Sequence, residues 1–298
     1  MPWVIGSILS ALFLGFYDLT KKHALRDNAV IPVLFFSTVA SASVWGALML
    51  THAVAPGRLP PSLTVDPLSP SQHLQLLTKS GIVGLSWFFT YFGIKHLPLS
   101  LAAPIRATGP LWTLLGAVLI LGERPNWVEG LGIATTLASF LSLSLAGRKE
   151  GIHFHRNKWI AFMLLGTLCG AVSSLYDKHL MGTLQFRAGT VQAWFSIYLV
   201  AVFLPLVIGW KLRLWPRNTF EWRWSIPLIG LVLLVADFVY FDALRDPEAL
   251  VSLVSSIRRG STLVAFLGSL WFFHEKHGLR KLPGVLGVLL GITLTILG

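Results

Sequence analysis

The sequence predicts an all-α integral membrane protein with ten transmembrane helices, arranged as two inverted five-helix repeats. Three observations lead there: too little charge for a soluble globule, apolar runs of membrane-spanning length, and a second half that echoes the first. Of 298 residues, 54% are hydrophobic and only 12% are charged, and the mean hydropathy is +0.68. Soluble domains carry about a quarter charged residues to keep their surfaces hydrated. Here 24 basic and 13 acidic side chains would have to cover 32.8 kDa. That excludes an ordinary soluble enzyme and a disordered chain. The single cysteine, Cys169, lies inside an apolar run and reads as a packing residue, so a disulfide scaffold is excluded too.

The predicted helices are 2–20, 30–51, 76–95, 98–121, 127–146, 158–180, 188–210, 224–244, 248–273 and 279–297. Most hold about 20 residues, the length that crosses a bilayer core at about 1.5 Å per residue. The first is an apolar run closed by Lys21 and Lys22. Because these bases follow the run instead of preceding it, it reads as a retained helix and not as a cleaved signal peptide. The second ends in the one long loop, 52–75, with Pro56, Pro60, Pro61, Pro67 and Pro70. The third carries Trp87 and Tyr91, and the fourth carries Arg106 and stops at Gly122–Pro125. The fifth stops at Arg148 and Lys149; the sixth and seventh are apolar runs, the latter closed by Lys211. Asp237 sits in the eighth, Arg258 and Arg259 in the ninth, and the tenth runs to the end. Continuous apolar runs, not alternating ones, exclude a β-barrel.

Residues 105–146 align without gaps onto 257–298, a shift of 152. Ile105-Arg106 falls on Ile257-Arg258, Gly116 on Gly268, Glu123-Arg124 on Glu275-Lys276, and Gly132 on Gly284. Upstream, Tyr91-Phe92 matches Tyr240-Phe241, Pro98 matches Pro247, and Tyr17-Asp18 matches Tyr176-Asp177. The predicted units are therefore 1–146, a basic linker 147–157, and 158–298. With five helices per unit, the second enters the membrane from the opposite side. Inverted repeats of this kind are characteristic of secondary transporters, which hold substrate between the repeats near the midplane.

Gly-Glu-Arg-Pro (122–125) after the fourth helix, His-Glu-Lys-His (274–277) after the ninth, and glycines 132 and 284 in the last helix of each half resemble the EamA-type drug/metabolite transporter superfamily. The resemblance covers essentially the whole chain. It implies export or exchange of a small organic metabolite, amino acids first, with multidrug efflux as an alternative within the same fold. His274 departs from the pattern, standing where a glycine is expected. The related small multidrug resistance proteins carry a coupling glutamate in helix 1, about two turns before a lysine; those positions here are Phe13 and Leu14. The loops after the odd-numbered helices hold 15 basic residues against 6 on the other side, with 3 inside spans. By the positive-inside rule this places both termini outside. The resemblance implies cytoplasmic termini.

The informative residues are the ionisable ones at depth. An arginine inside a span costs at least about 2.5–3.5 kcal/mol, so it faces a cavity or a partner. Arg106 and Arg258 are counterparts in the repeat, and paired guanidinium forks suit a carboxylate or phosphate. The alternative is that each is locked to an acidic side chain. Pro104 and Pro110 flank Arg106 and free carbonyls in the fourth helix. Asp237 is the candidate for proton coupling, or for charge balance with Arg258 or Arg259, and Tyr240 shares its face. Trp87, Tyr91 and Tyr240 are candidates for an aromatic substrate wall. Asp18 and Asp177 read as interfacial ion pairs with Lys21 and Lys178.

The net charge of +11 is carried mainly by span ends and loops. Trp210, Trp215, Trp222 and Trp224 among basic residues read as an interfacial belt and not as a nucleic-acid surface. His153, His155, His274 and His277 complete no metal site, and no phosphate-binding loop is present. No cofactor is expected. The expected partners are a small-molecule substrate, the lipid bilayer and a coupling proton, for a monomer or homodimer spanning the cell inner membrane. The reading from another class, an intramembrane enzyme acting on lipid or isoprenoid substrates, needs a convergent set of acids, histidines or metal ligands at depth. Only Asp237 and scattered arginines are there.

Overall fold

The computed structural model describes residues 2–109, 111–112, 126–148, 151–178, 180, 184–214, 218–243, 257–275 and 278–297. Pro110, Gly116, Gly122–Pro125, Lys149, Trp215, Pro247, Lys276 and His277, named in the sequence analysis, lie outside them. The described residues form these α-helices, one overlapping each predicted span: α1 (Pro2–Leu25), α2 (Val30–Val54), α3 (Pro70–His96), α4 (Leu99–Ala107), α5 (Trp127–Arg148), α6 (Lys158–Lys178), α7 (Ala188–Lys211), α8 (Ser225–Ala243), α9 (Ser261–Phe272) and α10 (Gly278–Leu297). By length and composition α1, α2, α5, α6 and α7 qualify as membrane spans by themselves, and Ser225–Tyr240 is a shorter apolar helix. The chain is a multi-pass, all-helical membrane protein.

Helices α1 and α3 overrun their predicted ends most, for different reasons. Helix α1 continues to Leu25 because Asp18 and Lys21 are buried and paired instead of lying at an interface. Helix α3 starts at Pro70 because Ser69 and Gln72 form a reciprocal capping box, with proline at the first helical position. The α1–α2 turn passes through Asp27 (φ 53°), and the buried Asn28 side chain ties it to the segment before α8. Asn28 accepts from Glu221 N at 3.0 Å and donates to Glu221 O at 2.8 Å.

The main packing pairs are α1 with α8, α3 with α6, α2 with α7, α2 with α8, α3 with α7, α1 with α9, α4 with α6, α4 with α9 and α5 with α10. Exchanging α1–α5 for α6–α10 maps this set onto itself, as a pseudo-twofold relation between halves requires. Small residues bring α5 and α10 together: a Cβ on Gly291 would lie 2.7 Å from Thr136 N and 2.8 Å from Gly132 O. Leu137, Leu141 and Leu145 form an exposed row on α5, suited to lipid contact.

Helices α4 and α9 are discontinuous beside their arginines. Helix α4 closes at Ala107, with Thr108 as its C-cap. Residues 257–259 form a helical turn before Gly260, and α9 starts afresh at Ser261. Broken helices at depth occur where backbone lines a protein interior or cavity.

Helix α9 ends in Phe273, and the chain turns through His274 at φ 51°, the left-handed conformation favoured by glycine. This gives a physical reason for the glycine that the family pattern places there. The His274 side chain is exposed, so little contact is lost on removing it. His274→Gly is therefore expected to raise stability by about 1 kcal/mol. A thermal melt in detergent checks this, and an unchanged or lowered midpoint refutes it.

Candidate functional site

Two charge clusters are found among the described residues, the first centred on a buried carboxylate and the second half-buried. In the first, Asp18 of α1 is 1% exposed and takes Lys21 of the next turn at 3.1 Å. It also accepts from Arg106 Nη2 of α4. The Lys21 ammonium stands 4.1 Å from the Tyr17 ring centre and 5.1 Å from that of Tyr91. Asp18 is thus no interfacial residue: α3 and α4, remote in sequence, seal it from both lipid and water. Its counterpart Asp177 pairs across to Lys79 of α3, in a more open setting.

In the second cluster, Arg258 Nη2 donates to Asp237 of α8, and the guanidinium lies 4.1 Å from the Tyr240 ring centre. Three predicted residues therefore meet, Arg258 with Asp237 and Tyr240. Arg106 and Arg258 each hold their own carboxylate.

Between α2, α3, α7 and α8 lies a small cavity lined by Thr38, Ser41, Trp87, Gln192, Ser196 and Asp237, among others. Its volume is about 20 Å³, room for little more than one water. Small-molecule sites are ordinarily about 300–1,000 Å³, so this conformation is closed around the cavity, and a solute requires the helices to separate. The Trp87 indole stacks on Tyr91 at 6.3 Å between ring centres and 23° between planes. Tyr91 itself is completely buried beside Lys21, which links the cavity to the first cluster. Thr38, Ser41, Gln192 and Ser196 were missed by sequence reasoning. The available signal was polar side chains within otherwise apolar spans, but Ser37 and Thr38 also bond the carbonyls three residues back, as helix serines and threonines commonly do.

The cavity wall is mainly apolar, with Phe195, Leu199, Leu233 and Leu234 beside the polar groups, and broken helices around an internal cavity are a feature of membrane transport proteins. Residues 1–145 match the EamA-like transporter family. Over 294 residues the chain is 22% identical to the pseudopaline exporter CntI of Pseudomonas aeruginosa, strains UCBPP-PA14 and PAO1, covering 98% of this chain and 95% of that protein. A solved crystal structure shares the fold with a TM-score of 0.61 at 16% identity, covering 98% of this chain and 96% of the other. The chain is thus similar over its first 145 residues to the EamA-like transporter family, and it is a multi-pass protein of the cell inner membrane.

Proposed function

We propose that the protein is a secondary active transporter that exports or exchanges a small organic metabolite, an amino acid or a related compound, by alternating access. The moving units are the repeats 1–146 and 158–298, joined by the basic linker 147–157. The observation that carries this reading is the closed cavity bounded by Trp87 on one side and Asp237 on the other, beside two arginine–aspartate pairs. Of the predicted aromatics Trp87 lines this closed cavity, Tyr91 stacks behind it, and Tyr240 stands against Arg258, so the latter two would reach a solute only in an opened state. Arg106 and Arg258 supply a positive field, each held in position by its carboxylate. Export as the direction is supported by the pseudopaline exporter, to which the chain is similar throughout its length.

Asp237 is the coupling residue in this reading. A carboxylate ion-paired to Arg258 and also bordering the cavity can give up its partner when protonated, and the pair then opens. In proteoliposomes the wild type is expected to show saturable counterflow of an amino acid and uptake driven by a pH gradient. Asp237→Asn should keep counterflow while losing at least tenfold of the gradient-driven rate. Gradient-driven uptake at the wild-type rate in that variant sinks the coupling role, and a wild type without counterflow of any solute sinks the transporter reading.

A further inference from the structure

The small cavity between α2, α3, α7 and α8 is one-sided in its hydrogen bonding. Thr38, Ser196 and Ser41 have each given their hydroxyl proton to a carbonyl of their own helix: Oγ1 of Thr38 to Phe35 O at 2.7 Å, Oγ of Ser196 to Gln192 O at 2.8 Å, and Oγ of Ser41 to Ser37 O at 3.4 Å. A carbonyl only accepts, so the direction of each bond is fixed, and the hydroxyls have only lone pairs left to offer. Asp237 adds a carboxylate of which Arg258 takes Oδ1. Gln192 adds an amide side chain that forms no hydrogen bond with any described residue. Back-bonding within a helix accounts for the serines and the threonine. It does not account for Gln192, an uncommitted amide in an apolar span.

The lining is also graded along the helices. On α7, Gln192, Phe195, Ser196 and Leu199 follow one helix face, with Gln192 and Leu199 about 10 Å apart along the axis. Helix α8 is the next span and runs the other way, so its Asp237 lies towards the Gln192 end, and its Leu233 and Leu234 lie towards the Leu199 end. The amide and the carboxylate thus sit at one end of the lining and the leucines at the other. Beside them the Trp87 and Phe195 rings meet edge to face, 6.0 Å between centres and 86° between planes, and aromatic faces attract cations. The closed volume of about 20 Å³ admits a group the size of one water, which is the size of an ammonium head.

We propose that this cavity is the subsite for a primary ammonium group on the transported solute, with Gln192 as the residue that sets this specificity, so that the substrate class is primary amines with a compact apolar body, apolar amino acids foremost. The inference rests on the transporter reading above and narrows its substrate. A primary ammonium carries three donors and no acceptor. It complements a lining in which Gln192 Oε1, the second oxygen of Asp237 and the hydroxyl lone pairs present acceptors. Leu199, Leu233 and Leu234 receive the apolar body. Asp237→Asn keeps an acceptor oxygen, in line with the counterflow expected of it.

The test uses the full chain in proteoliposomes and counterflow of L-leucine. N-trimethylated leucine is the same body without N–H donors, the α-hydroxy acid analogue of leucine is the body without the ammonium, and L-glutamate is an amine with a charged body. Wild type should move leucine and discriminate at least about tenfold in KM against each of the other three. Gln192→Leu should raise KM for leucine about 10- to 100-fold, the loss expected for a hydrogen bond to a charged group, and leave the trimethylated compound within about twofold. Gln192→Glu keeps the acceptor and should retain most of the leucine affinity. In detergent, the thermal midpoint of solute-free Gln192→Leu should equal or exceed wild type, because the amide has no partner to lose; a purely structural glutamine gives the opposite. An unchanged leucine KM in Gln192→Leu overturns the inference, as does wild type that moves the trimethylated compound, the hydroxy acid or glutamate as readily as leucine; the transporter reading survives both. If Gln192→Leu does not fold, the wild-type comparison and Gln192→Glu decide. Absence of counterflow for every probe overturns inference and reading together.

Discussion

Asp18→Asn is expected to be the most damaging single exchange in the bundle. The asparagine is nearly isosteric, so packing is retained, but Lys21 and Arg106 lose the one carboxylate they share. Both Asp18 and Lys21 are 1% exposed at the side chain, so neither charge can turn to water. Removing one member of a buried ion pair costs about 3–5 kcal/mol, because the partner is left charged and uncompensated. Here two partners are left, and the loss should lie at the upper end. The variant should express at low yield, and its apparent thermal midpoint in detergent should fall by about 10 °C or more. The double variant Asp18→Asn with Lys21→Met removes the stranded ammonium and should recover at least half of the loss. If the single variant melts with wild type, the cluster is not what holds α1 to α4.

The same cluster shows where sequence reading reached its limit. Hydropathy located the apolar spans, each of which overlaps a helix among the described residues, because lipid contact forces apolar composition on exposed faces. It misjudged ends where a charged residue is buried by a partner far away in the chain. Asp18 and Lys21 look like an interface when only the local sequence is seen. Their burial is produced by Arg106, 88 residues on, and by Tyr91 of α3, neither of which leaves a mark on α1. Arg106 and Arg258 could be singled out because an arginine at depth is rare and expensive. Asp237 could be named as a partner for Arg258 or Arg259, but the pairing of Arg106 with Asp18 could not, since helix packing decides which acid that arginine meets. The cavity-lining Thr38, Ser41, Gln192 and Ser196 were less legible still, as a small polar side chain can satisfy itself on its own helix.

The glutamate of the His-Glu-Lys-His segment supplies the second large effect. Glu275 follows α9, but its carboxylate works on α4. Oε1 accepts from Leu99 N at 2.6 Å, and Oε2 accepts from Ser100 N at 3.1 Å, from the Ser100 hydroxyl, and from Ser269 Oγ at 3.3 Å. A helix N-terminus presents unpaired amides and a partial positive charge, and Pro98, the N-cap of α4, makes no side-chain cap of its own. The acid is therefore imported from the other half of the chain. Lys281 of α10, completely buried, donates to the same Ser100 hydroxyl at 2.8 Å. Beside it, Lys22 of α1 closes the end of α3 by donating to Ile94 O at 2.7 Å and to Leu97 O at 2.5 Å. One carboxylate thus joins the end of α9 to the start of α4, 175 residues apart in the chain. Glu275→Ala removes every one of these acceptors and should cost about 3–5 kcal/mol, the range for a buried charged group whose donors are stranded. Glu275→Gln keeps an acceptor oxygen at the helix start and should cost less than half as much. Paired thermal melts in detergent, with counterflow measured on whatever folds, separate the two. A melt of Glu275→Ala within about 2 °C of wild type, corresponding to less than about 1 kcal/mol, removes Glu275 as the tie between repeats and leaves the start of α4 to be held by packing alone.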